Sequence, residues 1–272
     1  MNHIQITIAS GDVEEQEMYI ALMSAIGYEG FEQEDKLLRA FIPEDQFDRG
    51  MLDSLLEPMG RKFETERIKE KNWNEEWEKN FQPVVVDEFC AIRAHFHAPV
   101  EGVEHELVIT PKMSFGTGHH ATTFMMIQAM QQVDFGGRRV FDFGTGTGVL
   151  AILAEQLGAA SVVATDNDDW SIENARENVA NNGCSRISVV KSEVVPEGPF
   201  DIILANINKH VIISQLPALR QQLNPGGVIL LSGLLDSDFQ DIENEAVNNN
   251  ISISVRMTKG RWICLKTEKR LK

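Results

Sequence analysis

Three glycines spaced two apart, Gly144, Gly146 and Gly148, close the apolar run Val140-Phe141-Asp142-Phe143, and a helical stretch starts at once with Val149 and Leu150. Glycine lets the main chain turn sharply and approach a bound molecule where a Cβ would collide. Loops of this kind lie at the carboxyl ends of strands, where open α/β sheets take their ligands. The next apolar run ends at Asp166, at the distance where a carboxylate can accept both ribose hydroxyls of a nucleoside. A dinucleotide loop, G-x-G-x-x-G, would need glycine at position 149, and Val149 stands there, which disfavours a dehydrogenase. Asp142, just ahead of the loop, then has no pyrophosphate to accommodate. It suits the amino acid end of S-adenosylmethionine, whose ammonium and sulfonium are cationic. A non-catalytic nucleotide-binding module would carry the same loop and acid, so that reading stays open.

Further along, Asn206 follows an apolar run, a place where Asn is also a common turn residue. Ser192 and Glu193 follow another and are candidates for adenine contacts. His119 and His120 could pass a proton to water, although adjacent histidines more often pack and cap a loop. No carboxylate or third histidine accompanies them at ligand spacing, so no metal site is expected.

These residues need a frame. Arg139–Phe143, Ser161–Asp166, Ile187–Val190, Asp201–Asn206 and Val228–Ser232 read as short strands separated by helical stretches. That alternation implies a parallel sheet covered on both faces. Ile251–Met257 and Trp262–Lys266 flank Thr258-Lys259-Gly260-Arg261 as a hairpin, so the last strand should enter antiparallel. Upstream, Phe89–Phe96 and Glu106–Thr110 read as strands and Thr122–Gln132 as a helix.

The first 68 residues have a different rhythm: strand, helix, strand, strand, helix, strand. His3–Ile8 alternate. Asp12 and Glu15 have the spacing of a capping box. Tyr19, Leu22, Met23 and Ile26 mark one helix face. Phe31–Glu34 and Leu37–Ile42 pair around Asp35-Lys36; Phe47, Met51 and Leu55, with Leu52 and Leu56, form a second helix, and Phe63–Ile68 closes the unit. The order fits a ferredoxin-like sandwich. It holds no catalytic constellation and reads as a recognition or packing module. From Lys69 to Phe81, Trp73, Trp77 and Phe81 recur every four residues among charges, the pattern of an amphipathic linker helix.

Composition narrows the classes. The net charge of −16 repels phosphates and argues against direct nucleic-acid binding. It favours a basic partner, or serves only to keep the chain dissolved. No run of about 18 apolar residues predicts a membrane span, and Met1-Asn2-His3-Ile4 lacks the marks of a signal peptide. Cys90, Cys184 and Cys264 are too few and too scattered for a disulfide framework, so a cytoplasmic location is expected.

Four passages resemble the PrmA family, which methylates large-subunit ribosomal protein L11. Phe115-Gly116-Thr117-Gly118-His119-His120-Ala121-Thr122-Thr123 is close to F-G-T-G-x-H-x-T-T, a stretch not shared by methyltransferases generally. The loop from Asp142 to Leu150 is the second passage, and Ala205-Asn206-Ile207, preceded by Asp201, is the third. Trp73-Asn74-Glu75-Glu76-Trp77-Glu78-Lys79-Asn80-Phe81-Gln82-Pro83 is similar to the family's interdomain linker. The likeness covers nearly the whole chain, weakly in the first 70 residues.

The resemblance implies an α/β fold: a seven-stranded, Rossmann-like class I methyltransferase domain over residues 85–272. Before it come a ferredoxin-like substrate-recognition domain over 1–68 and a helical linker over 69–84. It implies S-adenosylmethionine as cofactor, contacted by Thr123, Gly144, Asp166 and Asn206, with Gly146 of the same loop beside them. Asn206 would be the catalytic position, holding the acceptor nitrogen. The implied acceptors are lysine side chains and the α-amine of ribosomal protein L11; another protein or a small amine is the alternative. Two departures stand out. Thr145 and Thr147 occupy positions that are often Cys and Ser in the family, and Ile207-Asn208-Lys209-His210 replaces a Leu-rich continuation, which puts the shape of the acceptor channel in question.

Overall fold

The computed structural model describes residues 2–68, 82–110, 112 and 115–269. The chain divides into two units, residues 1–80 and 81–272. The helix expected over Trp73, Trp77 and Phe81 lies outside the described residues. Among those described, no helix is long and apolar enough to cross a membrane.

In the first unit, β1 (His3–Ala9), β2 (Gly30–Glu34), β3 (Leu37–Pro43) and β4 (Phe63–Ile68) form an antiparallel sheet in the order β2-β3-β1-β4. With α1 (Val13–Ser24) and α2 (Arg49–Leu56) this is the βαββαβ arrangement of the ferredoxin-like sandwich. Ile6, Ile8, Leu38, Ala40 and Ile42 alternate onto one face and pack against Tyr19, Met23, Leu52 and Leu56 of the helices. Two local expectations fail. Asp12 caps α1 by accepting from the Glu14 N–H, but Glu15 closes no capping box: its carboxylate is taken by Ser10 Oγ, Tyr19 OH and Arg61. Met51 is exposed, so the buried stripe of α2 runs through Leu52 and Leu56 instead.

The second unit is built on seven strands: β8 (Arg139–Phe143), β9 (Ser161–Asp166), β10 (Ile187–Lys191), β11 (Phe200–Asn206), β12 (Leu223–Leu235), β13 (Ile251–Lys259) and β14 (Trp262–Lys269). Their order is β10-β9-β8-β11-β12-β14-β13, parallel except that β14 runs antiparallel to both neighbours. Strand order reverses between β8 and β11, and a crevice opens where the connections diverge. Five helices cover the sheet: α3 (Ala121–Met130), α4 (Val149–Gln156), α5 (Asp169–Asn181), α6 (Lys209–Gln222) and α7 (Phe239–Asn248). Strand alternation feeds two cores. Val140, Ala164, Ile202 and Leu204 meet α3 and α4; Phe141, Phe143, Ile203 and Ala205 meet α6 and α7, with Phe141 stacked between Phe143 and Phe200. Each such side chain withdrawn from water contributes about 1.5–3 kcal/mol, and together they fix the strand ends.

Ahead of this sheet, β5 (Val84–Val86), β6 (Cys90–Arg93) and β7 (His105–Val108) make a small sheet of their own. The strand expected over Phe89–Phe96 is shorter because turns flank it at both ends. Asparagines at the end of α5 dock the chain as it leaves β7. Asn182 exchanges two hydrogen bonds with the Val108 backbone, and the Asn178 Oδ1 accepts from the Thr110 N–H. This pins the approach to the segment at residues 115–120.

Candidate active site

Parallel register sets Asp166 level with Lys191 and Asn206 level with Ser232, so the carboxyl ends of β8 to β12 share one rim. A cleft of about 670 Å³ opens there, lined among others by Phe143, Gly144, Gly146, Asp166 and Asn206, with Ser192 and Glu193 at one side and Phe115, His120 and Trp262 at the other.

The loop after β8 is shaped by close approach. At Gly144 (φ +74°) an added Cβ would lie 2.3 Å from the Ile207 Cγ2, and at Gly146 (φ +55°) 2.3 Å from the Phe115 carbonyl oxygen. Both positions are left-handed and both lack room. Gly146→Ala is therefore expected to cost several kcal/mol of stability and to lose cofactor binding. Thermal unfolding combined with calorimetry checks this; an alanine variant that melts and binds like the parent contradicts it.

The two threonines that depart from the family's pattern are both used. Thr147 donates its backbone N–H to the Phe115 carbonyl (3.0 Å) and its hydroxyl to the Gly116 carbonyl (2.8 Å), fastening the F-G-T-G segment to the loop. Thr145 Oγ1 donates to the Asp142 carboxylate at 2.6 Å.

Asp142 corrects the sequence reading. It is 1% exposed and lies beneath the loop rather than on the cleft wall, because it alternates to the same side as Val140 and faces α4. Burial raises its carboxyl to about 7, against the lowering effects of Thr145 and the Ala151 backbone; nearby Asp166 adds to the rise. A folded value above the unfolded one means that this group favours folding at low pH. That contribution is lost as pH climbs from about 4 to about 7 and is flat above. Relative to Asp142→Asn, the parent should thus lose roughly 1 kcal/mol per pH unit between about pH 5 and 7. Urea melts of both proteins across that range would measure it, and parallel stability curves would refute it.

Asp166 offers both oxygens at the rim. Oδ2 accepts from the Gly146 N–H at 2.9 Å and Oδ1 from the Asp168 N–H at 3.1 Å, so the carboxylate orients the loop and remains on the cleft wall. Asn206 ends β11. Its Nδ2 donates to Thr123 Oγ1 at 3.3 Å, while its Oδ1 is buried with no partner among the described residues. Leaving an acceptor empty costs about 1–3 kcal/mol, which suits an oxygen kept for a ligand's N–H. Thr123 is fully buried, and through this bond it reaches the cleft; its neighbour Thr122 lines the cleft directly.

His120 caps α3. Its Nδ1 accepts from the Thr122 N–H and lies 2.7 Å from Thr122 Oγ1. The ring is thereby spent on ordering the start of the helix. His119 turns elsewhere, with Nε2 3.0 Å from the Gln82 carbonyl. The altered run after Asn206 is also accounted for. Ile207 fills the space between Gly144 and Gly233, Asn208 caps α6 by accepting from the Val211 N–H, and Lys209 pairs with Asp238 and Asp241.

Sequence reasoning did not place Trp262, Gly233 or the α6 residues Ser214 and Gln215 on the cleft. Asn208 carried a signal in the Asn-Ile-Asn run; Trp262 carried none, since it looks like any strand aromatic.

A cleft beside Gly144 and Gly146, an acid on the adjoining strand, and an antiparallel final strand together characterise the class I S-adenosylmethionine-dependent methyltransferases, and the enzyme is one of these. The residues fit that cofactor: the glycine loop and the Asp166 carboxylate line one cleft of about 670 Å³. The family is equally definite. The chain belongs to the ribosomal protein L11 methyltransferase (PrmA) family, whose profile matches residues 3–270. It is 39% identical over 255 residues to the ribosomal protein L11 methyltransferase of Porphyromonas gingivalis, covering 90% of this chain and 88% of the relative. With that of Phocaeicola vulgatus it shares 34% identity, covering 98% and 99%. The fold is similar to the crystal structure of the ribosomal protein L11 methylase from Lactobacillus delbrueckii subsp. bulgaricus, at TM-score 0.66 and 32% identity, covering 70% of this chain and 100% of that one.

Proposed function

We propose that this enzyme methylates amino groups of ribosomal protein L11, on lysine side chains and the N-terminal α-amine, with Asn206 as the residue that orients the acceptor nitrogen. The observation that carries the reading is the Asn206 side chain, which lines the cleft, is tied at Nδ2 to Thr123 and has a buried Oδ1 without a hydrogen-bond partner among the described residues. S-adenosylmethionine supplies an electrophilic methyl group: the N–C bond forms as the C–S bond breaks and its electron pair leaves with sulfur. Asp166 would hold the ribose, Gly144 and Gly146 would let the backbone come close to the cofactor, and Ser192 and Glu193 would border its adenine. Asn206 accepts an N–H of the neutral amine and so turns the lone pair toward the methyl. Alignment of this kind is the main source of acceleration when the leaving group is already good. The proton leaves to water.

Residues 1–68 grip the substrate protein and residues 69–84 let the catalytic domain, 85–272, reach separate amines. The excess of acidic groups favours capture of a basic protein. Deleting residues 1–68 is expected to abolish methylation of ribosomal protein L11 while S-adenosylhomocysteine still binds; unchanged methylation would remove their role in recognition. The assignment as a whole is tested by incubating the enzyme with labelled S-adenosylmethionine and ribosomal proteins from cells lacking it. Label should enter ribosomal protein L11 alone, and label in another band would reassign the substrate.

A further inference from the structure

The acceptor side of the cleft holds three rings. His120 stands edge-to-face with Phe115 (centroids 5.2 Å apart, planes at 63°) and with Trp262 (4.6 Å, 71°), and all three line the space that Asn206 lines. Their positions are built in. The Phe115 carbonyl is held by the Thr147 N–H and seated where Gly146 has no Cβ, yet the residue is 52% exposed. His120 is locked by Thr122. Arg261 hangs over the Trp262 ring at 5.9 Å, so a cation already visits one of the three. A half-exposed aromatic residue fastened by its own backbone leaves apolar surface facing water, and the faces of aromatic rings carry the negative charge density that attracts cations.

The cleft's carboxylates, Asp166 at the end of β9 and Glu193 just past β10, stand on the opposite side of β8 from β14, which carries Trp262. Acceptor chemistry gives that separation a meaning. A carboxylate beside the amine would fix a proton on it and block attack. Each methyl added also removes one N–H: the neutral amine offered to Asn206 Oδ1 has two at first, one after the first transfer and none after the second. Ring faces attract an ammonium whether its substituents are hydrogens or methyls.

We propose that Phe115, His120 and Trp262 form an aromatic subsite for methylated ammonium groups, which keeps a partly methylated amine in the cleft after Asn206 has lost its grip. The subsite rests on the amine-methylation reading above and adds a ligand class to it: mono-, di- and trimethylalkylammonium ions.

The test is a binding comparison on the full-length enzyme with S-adenosylhomocysteine present. Calorimetry measures trimethyllysine amide against its uncharged isostere, in which carbon replaces the ammonium nitrogen. The cation should bind about fivefold tighter or better. Phe115→Leu should bring the two ligands within about twofold, whereas Phe115→Tyr keeps the preference. Trp262→Leu should lower the preference as Phe115→Leu does, giving a second reading from another strand. In turnover, both leucine variants should release a larger share of singly methylated product. Equal affinities in the parent, no binding of the cation, or a preference that survives both leucine substitutions would overturn the subsite. Failure of S-adenosylhomocysteine itself to bind would instead strike the amine-methylation reading.

Discussion

Asn206→Ala should cut methyl transfer at least about 100-fold, equivalent to about 2.7 kcal/mol of transition-state stabilisation, while S-adenosylhomocysteine affinity changes by less than about tenfold. The asymmetry follows from how the side chain is held. Its Nδ2 is spent on Thr123, a fully buried residue of α3, and its Oδ1 is spent on nothing. Alanine removes the acceptor proposed for an incoming N–H, and the amine would then be free to rotate its lone pair away from the methyl. The loop of Gly144 and Gly146 and the Asp166 carboxylate are untouched, so most cofactor contacts persist. Thr123→Val is the graded companion. It keeps Asn206 but frees its amide to turn, and should lose roughly tenfold in kcat. Single-turnover rates with saturating cofactor separate chemistry from binding. A variant lacking Asn206 that turns over within about threefold of the parent would end the assignment.

What the sequence could reveal divides along the range of the interactions. The strands of the large sheet and their approximate ends were readable because each is a run of apolar residues closed by a turn signal. The glycine loop and Asp166 were readable because their spacing is local. The orientation of Asp142 was not. In a central strand buried on both faces, apolar residues at every position erase the alternation that would show which side the acid takes, and only pairing with Ala164 and Leu204 settles it. Thr123 was legible as a position and not as a contact, since its link to the cleft runs through a residue 83 positions away. The aromatic corner is the extreme case. Phe115 belongs to a recognisable motif, but Trp262 joins it only because β14 inserts antiparallel between β12 and β13, which brings the tip of the final hairpin back to the start of α3.

Asp166→Ala should weaken S-adenosylhomocysteine binding by about 100-fold or more. Two losses combine. In the proposed role the carboxylate accepts from the ribose hydroxyls, and hydrogen bonds to a charged group are worth about 1.5–3 kcal/mol each. It also shapes the empty site, by accepting the Gly146 N–H at 2.9 Å and the Asp168 N–H at 3.1 Å. Alanine strands the first of those donors in a loop that has no slack, since Gly146 is packed against the Phe115 carbonyl. Asp166→Asn separates the two roles. Asparagine keeps one acceptor oxygen but must turn an NH2 toward either a backbone N–H or the ribose, so it should recover only part of the loss. Glutamate keeps the charge and overreaches by one methylene, displacing the ribose. The expected order of affinity is therefore parent, then asparagine and glutamate, then alanine. Calorimetric titration with S-adenosylhomocysteine, which needs no acceptor protein, measures it directly. An alanine variant that binds within about threefold of the parent would mean that the nucleoside is held elsewhere in the cleft and that Asp166 serves the loop alone.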